Sequence, residues 1–590
     1  MDNFPGIVLN IAVGGFISGT ARTEIYKEQV GMVLSKTIAC VQDYNNSGYG
    51  FSGSDVKVNL FSSPFLTDAF WTGFAKSRGM PFHIINSGHA HHDRNDLISN
   101  KPHTVMNINS AGNHSPGSGS VMPDWIADQT DLALLLWDGR EDFNNREIWA
   151  LIQACKRNNI PCIWIDVNTP ENIYRVSDSY FDKYTDDHLK GYIATLFSRN
   201  TGAFDPPGKS RIPFWGLWDY LYNHFMKKHK ARIQPMPYIV DKVLETGREM
   251  PSNTPPSDLN RQKIVGWFHY FDANAIEYSQ KYRTSIYLRS IIPFFAAVFI
   301  ALGFFAETIL GFIFTVPGIR LSPWAILASI GFLVNGLIFF YIYRLAENPV
   351  IAGWHPRFID NRFAAEALRL AAHFIPFGIP INIASSLNRF GSKISKNKHV
   401  SNELRRIIRS VEVTSTEFDK KLSDRLMKNL ADMVNDQIIY HDYSIARYAA
   451  IISRLKKLTA VLFAIGLTVV ILRGCLQFVL VYVDIGPGRN GIRLDSFIKS
   501  MINMFAQIFP AWASYFSLKL SLSNFEGLMN NSKEMKGYLT VMKDIIEGEM
   551  KREDTSFERV YLFSRDLTRL MLGEVADWYS QISTQKFTKL

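Results

Sequence analysis

The chain has 590 residues, 47% of them apolar, and a formal net charge of +10. That length allows two or three domains with cores of their own, and the composition excludes a disordered or collagen-like chain. The basic residues form no concentrated tract of the kind a nucleic-acid surface needs. Many flank very apolar stretches beyond residue 285, where excess Lys and Arg orient membrane segments, so no nucleic-acid partner is expected.

In chain order, the opening MDNFPGIVLNIAVGG lacks a basic n-region, and no cleavable signal peptide is expected. VLNIAVGG reads as a strand and TEIYKEQVGMVLSKTIACVQDY as an amphipathic helix. VKVNLFSS is a strand, FLTDAFWTGFAKSRG a helix and MPFHIIN a strand. After a Gly/Ser/His/Asn-rich loop come the strand DLALLLWDG, the helix NREIWALIQACKRNN and the strand IPCIWIDV. Short apolar runs separated by helices imply a parallel sheet covered on both faces, and such sheets bind ligands beyond the carboxyl ends of their strands. Those ends carry Gly14 and Gly15 (with Arg22 following), Ser62 and Ser63 (with Asp68), and Trp137, Asp138 and Gly139. Glycines let backbone amides approach a phosphate, and a helix N-terminus favours an anion. Cys40, Cys155, Cys162 and Cys475 show no metal-ligand spacing, which suits a reducing cytosol. His83, His89, His91, His92, His103 and His114 have no HExxH or Cys-paired arrangement, and no metal is expected.

Four apolar segments follow. Ser290 to Phe314 holds Glu307 as its one charge, and Trp324 to Tyr343 holds none; each covers the roughly 20 residues needed to cross a hydrocarbon core. Leu458 to Val483 carries Arg473 in mid-run, and Phe497 to Leu518 contains Asn503, Gln507 and Pro510. ARYAAIISRLKKL enters the third segment directly, as one helix continuing from cytosol into membrane. The basic flanks Lys281, Arg283, Arg289, Arg344, Arg447, Arg454, Lys456 and Lys457 place both termini and the middle segment in the cytoplasm. Polar groups at membrane depth face a protein interior or a watery path, so Glu307, Arg473, Asn503 and Gln507 are candidates for a pore or packing seam. NKHVSNELRRIIRSVEV and EFDKKLSDRLMKNLADMV show apolar stripes at helical spacing, suited to packing or self-association. Residues 527 to 582 read as a further helical pair.

DWIADQTDLALLLWDGREDFNNREIWALIQACKRNNIPCIWIDVNTP resembles the second half of a SLOG domain, the Rossmann-like nucleotide-ligand sensor of bacterial conflict systems; FSSPFLTDAFWTGFAKSRGMPFHII resembles its preceding unit. The resemblance implies ligand contacts at Gly14, Gly15, Arg22, Ser62, Asp68, Trp137, Asp138, Gly139 and Glu147. It departs at Asn144, Asn145 and Arg146, where catalytic relatives carry a GGxGT-type phosphate loop. FHYFDANAIEYSQKYRTSIYLRSIIPFFAAVFIALG, FIDNRFAAEALRL, DQIIYH and EVADWYSQI resemble SLATT-type modules, transmembrane hairpins with a cytosolic helix thought to form pores.

The expected architecture is a Rossmann-like, parallel-sheet α/β domain over residues 1–200, a linker and cytosolic helix over 201–285, and a first transmembrane hairpin over 286–345. A cytosolic helical region over 346–457, a second hairpin over 458–525 and C-terminal cytosolic helices over 526–590 complete the α-helical membrane part, with four transmembrane helices in all. The implied function is an oligomeric effector of antiviral defence in the bacterial inner membrane. It would sense a nucleotide second messenger, a cyclic oligonucleotide or NAD derivative made by a cognate enzyme, and permeabilise or depolarise the bilayer. The alternative is a membrane-anchored nucleotide or N-glycoside hydrolase, with Glu147 and Asp138 as acid and base. The sequence offers no Walker motif and no clear nucleophile–base pair.

Overall fold

The computed structural model describes residues 8–15, 23–46, 56–62, 69–86, 104–108, 122–139, 146–176, 181–197, 262–285, 349–375, 379, 398–411, 417–418, 420–482, 494–522, 524–552 and 557–584, with scattered helical positions at 216–220 and 330–344. The N-terminal part is a nine-stranded sheet in the order β8-β7-β6-β5-β1-β2-β3-β4-β9. Its strands are β1 (Val8–Gly14), β2 (Lys57–Ser62), β3 (Phe82–Asn86), β4 (Thr104–Ile108), β5 (Leu132–Trp137), β6 (Cys162–Asp166), β7 (Ile173–Val176), β8 (Phe181–Lys183) and β9 (Glu417–Phe418). Strand β5, LALLLW, is buried at every residue, as a central strand covered on both faces must be.

Helices α1 (Thr23–Asn46), α2 (Ala69–Ser77), α3 (Met122–Gln129), α4 (Arg146–Arg157) and α5 (Asp186–Phe197) are interleaved with the strands. Helix α4 buries Ile148, Leu151, Ile152 and Cys155 on one stripe and stops where Asn159 takes a left-handed φ of 53°. One sheet face packs Ile11, Val13, Leu60 and Leu134 against α1, α2 and α5. The other joins Ala12, Phe61, Leu135 and Trp164 into one core with α3, α4 and the helical part of the chain.

The expectation of a purely parallel sheet needs correcting. Strand β7 is antiparallel to β6, and β8 is antiparallel to β7. They form a hairpin short enough to need no crossover helix. Strand β4 lies in the stretch read as a polar loop. Strand β9 comes from the middle of the helical region and pairs in parallel with β4, Asn107 opposite Glu417 and Ile108 opposite Phe418.

The remainder is largely helical: α6 (residues 262–285), α7 (Pro349–Phe374), α8 (Lys398–Arg409), α9 (Lys420–Tyr482), α10 (Leu494–Leu522), α11 (Phe525–Met550) and α12 (Phe557–Thr584). The apolar stripes expected over 398–434 turn inward, since Leu404, Ile407, Leu426, Leu430 and Val434 lie in the shared core. There they hold this chain together.

Polar contacts join the helices to the sheet at the amino ends of the strands. Asp131, 2% exposed, accepts the Asn10 backbone N–H at 2.9 Å and lies 3.5 Å from Arg405 and 3.6 Å from Arg409. Arg409 also donates to Gln129 Oε1 at 2.8 Å and to the Asp128 carbonyl at 3.1 Å. Its burial pushes the guanidinium pKa down, with Asp131 and Asp128 opposing the shift. From α12, the Tyr561 hydroxyl donates to Asp128 Oδ2 at 2.5 Å. In a second polar cluster, α7 buries Glu366 between Arg362 and Arg369. Burial alone would raise its pKa, but the two guanidinium groups bring it down to about 2.

Candidate functional site

Chain order places β1 at the centre of the sheet. The chain leaves it on one side for β2, β3 and β4, then returns to β5 on the other. The carboxyl ends of β1 and β5 are therefore the switch point of the sheet, where such folds place a ligand crevice. Gly14 ends β1 and is level with Leu135 of β5. Gly15 has φ +112°, and a Cβ there would lie 1.9 Å from the Leu136 carbonyl oxygen. Glycine is thus required by both backbone angle and space. The Trp71 indole N–H donates to the Gly15 carbonyl at 3.3 Å, fixing the turn from the α2 side.

Across the crevice, Trp137 is buried against Trp149 and Trp164, with ring centroids 5.8 and 5.2 Å away, so it supports the edge and does not line it. Asp138 follows as a half-buried residue, and Gly139 is exposed at φ +78° with Trp164 beneath it. Glu147 stands in the first turn of α4, and burial raises its carboxyl pKa against the opposing charge of Arg146. Ser62 is fully buried and donates to the Val13 carbonyl at 2.7 Å, a strut between β2 and β1. Arg22, Ser63 and Asp68 lie outside the described residues. His83, discounted as a metal ligand, is buried and stacks on Phe61 at 4.7 Å.

Asp166, which sequence reasoning passed over, ends β6 level with Trp137. Its carboxylate accepts the Asn168 N–H at 2.8 Å and the Thr169 hydroxyl at 2.7 Å, shaping the next turn. Its position at the end of IWID, one strand from Asp138, was the available signal. Among the described residues this edge is therefore acidic, with Asp138, Asp166 and Glu147. Carboxylates suit the hydroxyls of a sugar or the amino groups of a base. A phosphate would instead meet the N-terminus of α4 and the glycine turns.

The membrane candidates sit on α9 and α10. Among the described residues one helix is long and apolar enough to cross a membrane, Lys420–Leu476, with a stretch of mean hydropathy 2.2 that is 11% buried. It continues without a break from polar residues into apolar ones, as ARYAAIISRLKKL suggested. Of the four spans expected, the described residues thus show one by this criterion. Segment 290–314, with Glu307, lies outside the described residues, as does most of 324–343. Of the latter, the described Ile330, Leu333, Leu337 and Phe340 are helical and exposed. The fourth segment is helical within α10, but Asn503, Gln507 and Pro510 leave it less apolar than the third.

Helices α10 and α11 return antiparallel along α9. The pairs Lys543–Asn435 (2.9 Å), Lys536–Asp442 (2.6 Å) and Lys456–Glu526 (2.8 Å) mark that course below the apolar stretch. Within the stretch, a Cβ on Gly466 would come 3.3 Å from the Pro510 ring, so the two helices cross closely there.

No protein-family model, curated protein or solved structure matches this chain. Topology and side-chain chemistry carry the functional reading.

Proposed function

We propose that this chain is a ligand-gated membrane effector of bacterial antiviral defence. A nucleotide second messenger, a cyclic oligonucleotide or NAD derivative, binds at the β1/β5 edge of the SLOG-like sheet. Assembled copies then permeabilise or depolarise the inner membrane through SLATT-like hairpins. The supporting observation is one chain in which a sheet with its switch point between β1 and β5 shares its core with helices that lead into an apolar stretch only 11% buried. Binding can drive the change only if the ligand prefers the active arrangement. Four spans per chain would fill their own bundle with side chains, so a water-filled path needs several copies.

The test is a thermal-shift screen of the detergent-purified full chain against cyclic dinucleotides, cyclic trinucleotides and NAD derivatives, followed by dye release from liposomes. One class should raise Tm and trigger release. Release indifferent to every class would overturn the reading. Topology is checked with a cysteine introduced at Pro317 or Pro487, which should react with an impermeant reagent from the periplasm; reaction only after lysis would overturn four spans with cytosolic termini.

The raised pKa of Glu147 favours one second reading, a hydrolase using that carboxyl as general acid. Recovery of intact messenger after prolonged incubation would exclude it.

A further inference from the structure

We propose that Arg473 and Asn503 form a cationic station on the seam between α9 and α10, and that the membrane path therefore passes small anions in preference to cations. The existence of a path rests on the effector reading above; the station and its sign rest on the following geometry.

Along α9 the positions facing α10 form a stripe. Thr459, Leu462, Gly466, Val469 and Leu476 are each less exposed than their neighbours, at alternating spacings of three and four. Arg473 occupies the next position of that spacing, seven residues beyond Gly466, and its side chain is exposed. Pro510 meets Gly466 on the antiparallel partner, and seven residues before Pro510 is Asn503. Arg473 and Asn503 thus share one level of the pair. Asn503 brings an acceptor to it: among the described residues its Oδ1 is buried and has no hydrogen-bond partner. An unmet carbonyl in a membrane interior is costly, and Arg473 has five N–H donors. Turned toward α10, the exposed guanidinium would give one donor to Asn503 and keep the rest for the path. Gln507, one turn further along α10, is exposed.

The sign follows from what else is present. Leu458 to Val483 and Ser496 to Leu522 contain no Asp or Glu, and Arg473 is the one charge in the middle of either run. It stands fifteen residues past Leu458, or about 22 Å along a helix, well inside a core of roughly 30 Å. Several copies would repeat this guanidinium around the path, and a ring of Arg residues admits anions and repels cations.

Two measurements test this on the full chain. In a Cys475→Ser background with a protease site inserted at Pro487, Arg473→Cys combined with Asn503→Cys should form a disulfide within one chain. The two fragments would then stay joined on a non-reducing gel after cleavage. Failure to link, or linkage only between chains, overturns the station. Proteoliposomes are then held in a KCl gradient with a pool of cyclic dinucleotides, cyclic trinucleotides and NAD derivatives. The expected zero-current potential lies toward chloride, with the preference kept by Arg473→Lys and lost in Arg473→Gln. A potential toward potassium overturns the anion path and leaves the effector reading standing. Vesicles that stay tight although the disulfide forms overturn both.

Discussion

The two ends of the sheet are built in opposite ways. At the amino ends of the strands, the buried Asp131, Asp128 and Tyr561 are paired, with the half-buried Arg405 and Arg409 among their partners, and together they tie the sheet to α8 and α12. At the carboxyl ends, the same strands finish in Gly14, Gly15, Asp138, Gly139 and Asp166, small or acidic groups at a partly exposed edge. One end acts as a joint; the other ends in the half-buried Asp138 and Asp166 and the exposed Gly139. A ligand at that end can influence the helices through the body of the sheet. That body is continuous with them through the common core and through β9, which enters the sheet two residues before the long helix α9 begins.

Removing a joint residue should have the largest effect. Asp131→Ala removes the buried carboxylate beside Arg405 and Arg409 and the acceptor of the Asn10 amide, a loss of about 3–5 kcal/mol. Thermal unfolding of the full chain in detergent should show a clear fall in Tm, and an unchanged Tm would remove the contrast between the two ends. Gly15→Ala ranks second, because it combines a strained φ with a Cβ driven into the Leu136 carbonyl. The expected loss is about 2–4 kcal/mol, together with loss of ligand binding.

The joint was the least legible part of the molecule. Strands such as LALLLW and the helix REIWALIQACKR announce themselves by local period and were read within a residue or two. Strand β9 has two residues and β8 three, too few for any period. Nothing near Asp131 in the sequence points to Arg409, since that pairing exists only once the chain has folded back across 278 residues. The stripes of α8 and α9 were visible as stripes, but a period cannot say whether a face meets its own chain or another. At the open end, Gly14, Gly15, Asp138 and Gly139 were legible because glycines and acids at strand ends recur whatever the tertiary partners are. Ser62 and Trp137 looked alike in sequence and proved to be a strut and a core residue.

A substitution confined to the open end should separate binding from folding. Asp138→Ala removes a half-buried carboxylate and should change stability less than Asp131→Ala does. It should nonetheless abolish the ligand-induced Tm shift, with membrane insertion unchanged. A bulky residue at Gly14 should do the same to binding, at some cost in stability. Undiminished ligand shifts in both variants would move the site away from the β1/β5 edge.

The smallest effect belongs to Glu147, and its sign distinguishes an available carboxyl from a paired one. Burial raises its pKa above the ordinary carboxylate range, with Arg146 only partly opposing. The folded chain therefore holds this proton more tightly than the unfolded chain does. As pH rises from the ordinary value through the raised one, the unfolded state binds fewer protons and stability falls. Glu147→Gln keeps the neutral form throughout, so the variant should lose that component of the decline and match wild type below the window. Unfolding curves at a series of pH values from about 4 to 8 would read the difference. Equal slopes would mean that water or an unconsidered cation already meets the carboxylate. A nucleotide phosphate bound near the start of α4 would add negative charge and raise the Glu147 pKa further. The ligand-induced Tm shift of wild type should then shrink as pH rises, and this dependence should vanish in Glu147→Gln.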